Sequence, residues 1–555
     1  MTEFVDIGDI NILARRLDGR GYSRYKMLSG IVFTGDGVEL RFTRVQSDPF
    51  APPSWVEVVV RGDYHGLGTG GFPWKYPIPT TTYLHRLLYT TAKRATHKCG
   101  TGNSCVIHVP RPAPIMVPRS SVELRDGSII LRFSIGLPAY GRRISGDNFI
   151  RLMRTVFNNV LSVFHGLDRR VGEIREYVDV YRDYMYIRRL LEEKGCIAFI
   201  GDGSILPRES SFSDKPLRNA VVFEAPSGAA TSIDLPSGGR LRGLMICDKL
   251  TVITGGGYHG KTTLLNSIQE GIYPHVPGDG REYVVTVPGT VMVYAEDGRI
   301  IHGVDISGFI RGLPGGVDTT RFSTLNASGS TSMAASITEA VEAGANAILI
   351  DEDTSATNLL FKDRVMSVVL RKDPIKTLSQ LVDSFIEETD IGVVIVSSSS
   401  SAFLCRAGKA LLLENYRVRI LEGEGLECSD EPYRLEYRRP RVRVFRGIKG
   451  LSRIRVRGHV LKLKYTGGLV QEIDLRRNPR IREAGQARYV GAVINWLVGL
   501  GREVSVDRLP GLIDSWFEEH GFRGFTGKRI PPDLSWAPGL DVLWFLNRMV
   551  NAVFE

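Results

Sequence analysis

The segment Gly255-Gly-Gly-Tyr-His-Gly-Lys-Thr262 constrains the fold most, because it fits the phosphate-loop pattern G-x-x-x-x-G-K-[ST]. An apolar run, 250–254, predicts a strand before it, and 262–270 predicts a helix after it. Glycine N–H groups and the helix N-terminus would face phosphate oxygens. We expect Lys261 to neutralise the β- and γ-phosphates and the Thr262 hydroxyl to bind Mg²⁺. The predicted nucleotide-binding residues of this loop are Gly255, Gly256, Gly257, Tyr258, His259, Gly260, Lys261, Thr262 and Thr263.

An acidic pair follows a second apolar run, Ala347-Ile-Leu-Ile350. This pattern predicts a buried parallel strand, and ligands of doubly wound sheets bind at the carboxyl end of such strands. We expect Asp351 to hold Mg²⁺ through water. Glu352 is the predicted catalytic residue, because its carboxylate could orient or deprotonate the water that attacks the γ-phosphate.

A third motif, Asn326-Ala-Ser-Gly-Ser-Thr-Ser332, precedes a predicted helix at 333–343. Serine and glycine at such a position can be simple helix caps. However, Gly329 lies 22 residues before Asp351, which is the order and spacing of the signature motif of ABC-type ATPases. We therefore predict that Ser328, Gly329 and Ser330 contact the γ-phosphate held by a second copy, and that 353–358 corresponds to the D-loop.

These and other segments together resemble the predicted ATPases of the ABC class, a family that includes a kinetoplastid mitochondrial RNA-editing-associated ATPase. The resemblance covers most of the chain. Further segments that carry it are Val45-Gln-Ser-Asp-Pro-Phe-Ala-Pro-Pro-Ser54, Gly136-Leu-Pro-Ala-Tyr-Gly-Arg-Arg-Ile144, Gly203-Ser-Ile-Leu-Pro-Arg208, Pro277-Gly-Asp-Gly-Arg-Glu-Tyr-Val-Val-Thr286 and Glu296-Asp-Gly-Arg299.

The resemblance implies an α/β fold, with an ABC-type P-loop core between flanking N-terminal and C-terminal α+β domains. It implies ATP with Mg²⁺, a sandwich of two ATPase domains, and RNA as a partner. Composition shifts place an N-terminal domain at 1–195, the ATPase domain at 196–425 and a basic C-terminal domain at 426–555. The segments 56–60 and 129–135 predict strands, and 147–166 and 168–194 predict helices.

Two departures from ordinary ABC ATPases affect the expected rate. The glutamine-bearing loop is not evident, and Glu296-Asp297-Gly298 in that interval could be a tight hairpin turn. After the apolar run 392–396, the usual histidine is replaced by the serines 397–401. A serine hydroxyl can bond a phosphate but cannot act as a charged sensor, so we expect slow turnover.

The positive charge is concentrated in one segment. The chain has a formal charge of +10, whereas 434–464 alone has twelve basic residues and one acid. In a strand, residues two apart share a face, so two rows of arginines could bind nucleic acid, with Tyr437 and Phe445 stacking on bases. The alternative is a solvated face or a domain interface. The predicted nucleic-acid-binding residues are Arg439, Arg441, Arg443, Arg453, Arg455 and Arg457.

With 43% hydrophobic and 24% charged residues, the composition is that of a globular chain. No apolar run approaches the roughly 18 residues of a membrane helix, and the acidic N-terminus does not fit a signal peptide. We expect a cytoplasmic protein without membrane contacts. The six scattered cysteines predict no disulfide framework. For the cluster of His97, Cys99, Cys105 and His108, a metal site, a local disulfide, and buried thiols beside surface histidines all remain open.

The sequence thus predicts a slow ATPase that acts as an ATP-dependent homodimer and binds RNA or DNA. A transporter subunit is disfavoured by the large additional domains. A DNA-repair or chromosome-type ATPase is disfavoured because only 90 residues separate Lys261 from Asp351. A non-enzymatic scaffold controlled by nucleotide is the remaining alternative, if Glu352 is not competent.

Overall fold

The computed structural model describes residues 3–68, 70–210, 212–370, 372–422 and 434–555. The chain forms two compact units. The first contains the residues up to 179 with 483–492 and 519–536, and the second contains 180–482, 493–518 and 537–555. Residues of the segment predicted as a C-terminal domain, 426–555, belong to both units.

The elements are numbered in chain order. The strands are β1 (Glu3–Asp6), β2 (Ile31–Gly35), β3 (Val38–Arg44), β4 (Ser54–Val60), β5 (Ile107–His108), β6 (Val122–Arg125), β7 (Ser128–Ile135), β8 (Ala139–Tyr140), β9 (Arg143–Ile144), β10 (Ala198–Gly201), β11 (Ala230–Asp234), β12 (Arg240–Ile246), β13 (Leu250–Gly255), β14 (Val284–Thr286), β15 (Thr290–Val293), β16 (Ile301–Val304), β17 (Phe322–Thr324), β18 (Ala347–Asp351), β19 (Gly392–Val396), β20 (Lys409–Glu414), β21 (Arg417–Glu422), β22 (Val444–Ile448), β23 (Leu451–Arg457), β24 (Val460–Tyr465), β25 (Val470–Asp474), β26 (Val504–Ser505) and β27 (Ala552–Phe554). The helices are α1 (Ile10–Leu17), α2 (Gly62–His65), α3 (Phe72–Lys75), α4 (Pro77–Ala95), α5 (Gly146–Thr155), α6 (Val171–Lys194), α7 (Lys261–Glu270), α8 (Gly329–Glu342), α9 (Thr357–Leu360), α10 (Arg364–Val369), α11 (Leu378–Thr389), α12 (Ala484–Gly499), α13 (Leu509–His520), α14 (Arg523–Thr526) and α15 (Gly539–Leu546).

The first unit is built around a seven-stranded sheet in the order β1-β2-β3-β4-β7-β5, with β6 also paired to β7. The strands predicted at 56–60 and 129–135 are confirmed as parts of β4 and β7. Helix α5 buries Phe149, Leu152 and Met153, at helical spacing, in the core of this unit. The helix predicted over 147–166 changes at Val156 into a π-helical segment that ends at Leu161.

The prediction that the cysteines form no disulfide framework is wrong, because every cysteine in the described part of the chain is disulfide-bonded. Cys99 is joined to Cys105 in the first unit, and Cys196 is joined to Cys247 in the second. The second pair is 51 residues apart in sequence. Sequence spacing did not reveal it because β10 and β12, which these cysteines adjoin, become neighbours only through antiparallel pairing.

The second unit contains the predicted α/β core, a six-stranded sheet in the order β15-β18-β19-β13-β20-β21. The first five strands are mutually parallel, and β21 returns antiparallel to β20. All residues of β18 and β19 are buried, which is typical of parallel strands covered on both faces. The order brings the carboxyl ends of β13 and β18 to the same edge, with β19 between them.

A three-stranded antiparallel sheet, β23-β24-β25, follows in the basic part of the second unit. We call it the basic sheet (residues 451–474). Leu461, Leu463 and Tyr465 point to its buried face, whereas Arg453, Arg455 and Arg457 are exposed. Among the described residues, no helix has the length and apolar character needed to cross a membrane.

Candidate nucleotide site

The phosphate loop (255–262) connects β13 to α7, as its pattern predicts. Gly255 has φ +136°, and a Cβ there would lie 2.2 Å from the carbonyl oxygen of Leu413, so only glycine fits. Gly260 also has positive φ, +97°. The Lys261 ammonium donates to the carbonyls of Gly255, at 2.9 Å, and Gly256, at 2.7 Å. This charge is therefore held inside the loop, where it can meet a phosphate.

Thr262 lies beside the acidic pair. Its hydroxyl donates to Oδ2 of Asp351 at 2.8 Å, although 89 residues separate the two in sequence. Asp351 is buried at the end of β18, and its Oδ1 accepts from the amide of Asp353 at 3.2 Å. One hydroxyl and one carboxylate are hard oxygen donors, which Mg²⁺ prefers. The residues present fit the metal site that the sequence predicts.

Glu352 is fixed by the serine loop (397–401), which follows β19. Its Oε2 accepts from the amides of Ser398, at 2.7 Å, and Ser399, at 3.1 Å. The Ser397 hydroxyl donates to the Ser400 carbonyl at 3.1 Å. Sequence reasoning considered serine hydroxyls facing a phosphate and missed the amides, because a main-chain contact leaves no signal in the residue types.

The signature residues lie at the N-terminus of α8. Ser328 is its N-cap, and Gly329 begins the helix. The Ser330 hydroxyl donates to Oδ1 of Asn358, in the predicted D-loop, at 2.8 Å. Ser328 is exposed and Ser330 is partly exposed, so this helix end is open to a ligand or to another chain.

The segment 295–299, which we call the junction segment, is not the hairpin turn considered above. Strand β15, before it, pairs with β18, and β16, after it, pairs with β17, so they belong to different sheets. Glu296 is buried and forms an ion pair with Arg548, in which Nε and Oε2 are 3.1 Å apart. Burial alone would raise the pKa of Glu296, but Arg548 lowers it below its ordinary value. No sequence pattern predicts the ion pair between Glu296 and Arg548.

A cavity of about 250 Å³ adjoins the phosphate loop. His259, Gly260 and Thr263 are among the residues that line it, and Phe223 and Tyr416 contribute aromatic rings. Its size and lining suit a planar base. In the sequence, the only signal for Tyr416 is the polar Glu-Asn pair before it, which indicates a turn between β20 and β21 but no contact with a ligand.

Two motifs of the resemblance hold a wall of this cavity, formed by Leu206 and Pro207. Arg281 donates through Nε to the Leu206 carbonyl at 2.9 Å. Arg208 pairs with Asp279 at 2.7 Å, and His275 contacts the same carboxylate oxygen at 2.6 Å. Burial alone would raise the pKa of Asp279, but His275 and Arg208 lower it, so the ion pair is retained.

The structure confirms only one of the two predicted arginine rows as a row on a strand. Residues 434–443 form no strand, because Pro440 has no N–H for a ladder. Arg439 and Arg441 are exposed there. The prediction for Arg443 is wrong: Arg443 is buried, and its Nη2 pairs with Glu342 at 2.7 Å. Tyr437 and Phe445 are also buried. The Tyr437 ring packs on Phe309 and Phe385, and the Phe445 ring packs on Phe554.

The second row keeps its predicted form. Arg453, Arg455 and Arg457 alternate along β23 and are exposed. Arg453 pairs across the sheet with Lys464, and Arg455 with Lys462, so the five cations share one face. Lys462 also contacts Glu472 at 2.7 Å. A solvent-facing cationic surface of regular spacing results.

A phosphate loop after a central parallel strand, with an acidic pair at the same sheet edge, defines a P-loop nucleotide-binding protein. The family model described as the P-loop domain of ABC ATPases matches residues 170–446. A second model, the N-terminal region of ATPases of the ABC class, matches residues 8–163. The chain belongs to the ABC-class ATPase family.

Similar proteins add two observations. An uncharacterised protein of Methanocaldococcus jannaschii, MJ1628, is 30% identical over 308 residues, which are 50% of this chain and 67% of the relative. Among solved structures, a bacterial Atm1-family ABC exporter with ATP bound matches at 12% identity. That match covers 50% of each chain, with a TM-score of 0.24.

Proposed function

We propose that this protein hydrolyses ATP to ADP and phosphate. The observation that supports the proposal best is the hydrogen bond from Thr262 to Asp351, because it joins the phosphate loop to the acidic pair. Lys261, buried within the loop, would move from its carbonyl partners to the β- and γ-phosphates. The loop amides and the start of α7 would bind the remaining phosphate oxygens.

Thr262 and Asp351 are the residues that would hold Mg²⁺. When bound, this ion would neutralise charge on the β- and γ-phosphate oxygens. The cavity beside the loop is proposed to take the base, with Phe223 and Tyr416 in contact with its faces.

Glu352 is the proposed catalytic residue. Its Oε2 is held by two amides, and within the described part of the chain its other carboxylate oxygen, Oε1, has no hydrogen-bond partner. Oε1 would therefore orient the attacking water and accept its proton. The described serine loop contains no cation that could contact the γ-phosphate. We therefore expect slow turnover, because Lys261 and the metal would have to neutralise the charge on the γ-phosphate without help from this loop.

The site is proposed to be completed by a second copy. The sequence has one phosphate-loop motif, and Ser328, Gly329 and Ser330 form a separate helix N-terminus that suits an anion. In a head-to-tail homodimer these residues would contact the γ-phosphate held by the partner. ATP would then favour the closed dimer, and hydrolysis would release it.

The basic sheet is proposed to bind nucleic acid, most simply RNA, through backbone phosphates. Arginine pairs well with phosphate, and Arg453, Arg455, Arg457, Lys462 and Lys464 share an exposed face. The exposed Arg439 and Arg441 would add further phosphate contacts. Because the buried Tyr437 and Phe445 are not available for stacking, electrostatic contacts would dominate and affinity would fall steeply with salt.

The test is the Glu352→Gln protein. We expect ATP to convert it to a stable dimer, measured by light scattering, while ATP hydrolysis falls by about two orders of magnitude or more. The matched control is Glu352→Gln with Lys261→Ala, which should remain monomeric with ATP. Normal hydrolysis by Glu352→Gln would refute the catalytic assignment. Hydrolysis absent from the unmodified protein as well, with ATP still bound, would favour the scaffold.

A further inference from the structure

We infer that the ion pair between Glu296 and Arg548 positions the signature residues against the acidic pair, and that it links the basic sheet to ATP hydrolysis. This inference rests on the proposed function. Glu296 is thus assigned as a positioning residue, since its side chain contacts Arg548 rather than a reacting group.

The junction segment contacts both sides of the proposed site. The Ala295 amide donates to the Thr354 carbonyl at 3.0 Å, in the turn that begins at Glu352. The Glu296 amide donates to the Ser332 hydroxyl at 2.8 Å, and that hydroxyl donates to the Gly329 carbonyl at 2.8 Å. A shift of this segment would therefore move the signature turn relative to the acidic pair.

The junction segment is tied to the signature region at a third point. The Gly298 amide donates to the Ala327 carbonyl at 2.8 Å. A Cβ on Gly329 would lie 3.2 Å from Oδ1 of Asp297, so the two segments approach closely. Little independent movement is available to either of them.

Arg548 holds the junction segment through its side chain. The exposed fractions of the Arg548 and Glu296 side chains are 7% and 4%. The guanidinium also donates to the Trp544 carbonyl at 2.8 Å and lies 3.6 Å from the centroid of the Trp544 ring. Both groups stay charged, because burial would raise the pKa of Glu296 but the Arg548 guanidinium outweighs it and lowers that pKa below its ordinary value. The Arg548 guanidinium is therefore held by a carboxylate, a carbonyl and an aromatic ring.

The main chain around Arg548 is fixed by the basic sheet. Gln471, on β25, donates through Nε2 to the Arg548 carbonyl at 2.7 Å. Its Oε1 accepts from the Val550 amide at 2.9 Å. Gln471 pairs with Leu463 on β24, next to the cations Lys462 and Lys464. An anion that displaces β24 and β25 would therefore displace Arg548 and the junction segment.

Two variants test separate steps. Arg548→Lys keeps the charge but loses the bidentate contact and the ring stacking. We expect its kcat without RNA to fall about fivefold or more, with KM for ATP near the unmodified value and a fall in melting temperature no larger than that of the control below. Gln471→Ala should keep the basal rate and the affinity for poly(U), while the ratio of rates with and without poly(U) moves towards one.

The control is Arg443→Lys, because Arg443 also holds α8 by a buried pair, with Glu342 near the C-terminal end of the helix. It should lower the melting temperature without changing the poly(U) ratio. An unchanged kcat in Arg548→Lys overturns the positioning role, and an unchanged ratio in Gln471→Ala overturns the link. If poly(U) binds the unmodified protein but leaves its rate unchanged, the link also fails. Absence of poly(U) binding refutes the link together with the proposed nucleic-acid function, whereas the Arg548→Lys result without RNA still decides the positioning role.

Discussion

The carboxylate of Glu352 accepts a hydrogen bond from the Ser398 amide, with 2.7 Å between Oε2 and the nitrogen. The strands β18 and β19 are neighbours in the sheet and end at Asp351 and Val396, just before these two residues. The loop that lacks a histidine therefore supports the proposed catalytic glutamate through its main chain.

Ser398→Pro removes that amide hydrogen while leaving Glu352 in place. We expect the ATPase rate to fall by about tenfold or more, because a carboxylate held by the Ser399 amide alone orients water less well. Nucleotide affinity, measured by calorimetry, should change little. Ser398→Ala keeps the amide and is the matched control. A large loss in Ser398→Ala would assign the effect to the hydroxyl instead.

Gly255→Ala should abolish nucleotide binding, because the new Cβ would lie 2.2 Å from the Leu413 carbonyl oxygen, at a φ of +136°. Backbone strain of this kind costs about 1–3 kcal/mol. Gly257→Ala is the control, because a Cβ there has no neighbour within 4 Å. Thermal melting and ATP titration of both proteins check this. Equal ATP affinity in the two variants would contradict the expected distortion of the loop.

Reversing three charges on the basic sheet should weaken RNA binding. In the triple variant Arg453→Glu, Arg455→Glu, Arg457→Glu we expect a smaller slope of log affinity against log salt, because fewer phosphate contacts release fewer counterions. Titrations of poly(U) at several salt concentrations measure this. The control reverses the exposed arginines Arg15, Arg16 and Arg151 of the first unit. An identical loss in both triples would indicate only a net-charge effect.

Arg443→Met should reduce stability, because it leaves the buried Glu342 carboxylate without its partner. Breaking a buried ion pair costs about 3–5 kcal/mol. Chemical denaturation measures the loss, and Arg455→Met, an exposed change, should cost much less. If the two variants had equal stability, the pair would not contribute as described.

Asp514 should make stability depend on pH. Burial raises the pKa of this carboxyl to about 7. Since an unfolded aspartate has a pKa of about 3.9, the native form retains the proton over a range where the unfolded form has lost it. This contribution is therefore fully present below about pH 4 and is lost as pH rises to about 7. Asp514→Asn should remove this part of the decline in stability. At pH 8 the variant should therefore be more stable than the unmodified protein. Denaturation of both proteins from pH 5 to 8 tests it, and parallel pH curves would contradict it.

Local sequence patterns predicted the structural features that are determined by residues close together in the sequence. The phosphate loop and the strand before the acidic pair lie where their patterns indicate, because glycine geometry and apolar runs act over a few residues. Alternation could not distinguish Arg443 from Arg455, since it does not reveal that Arg443 faces Glu342, 101 residues earlier. Glu296 and Arg548 are 252 residues apart, so only the fold joins them.

Each compact unit is assembled from separate stretches of sequence, and this limits dissection by truncation. The first unit needs 483–492 and 519–536 in addition to the residues up to 179. A fragment that stops at 179 would lack part of its own structure, and one that starts at 180 would retain pieces without their packing partners. Point substitutions in the intact chain are therefore the sound way to separate its activities, and insertions or deletions in the last 73 residues would disturb both units at once.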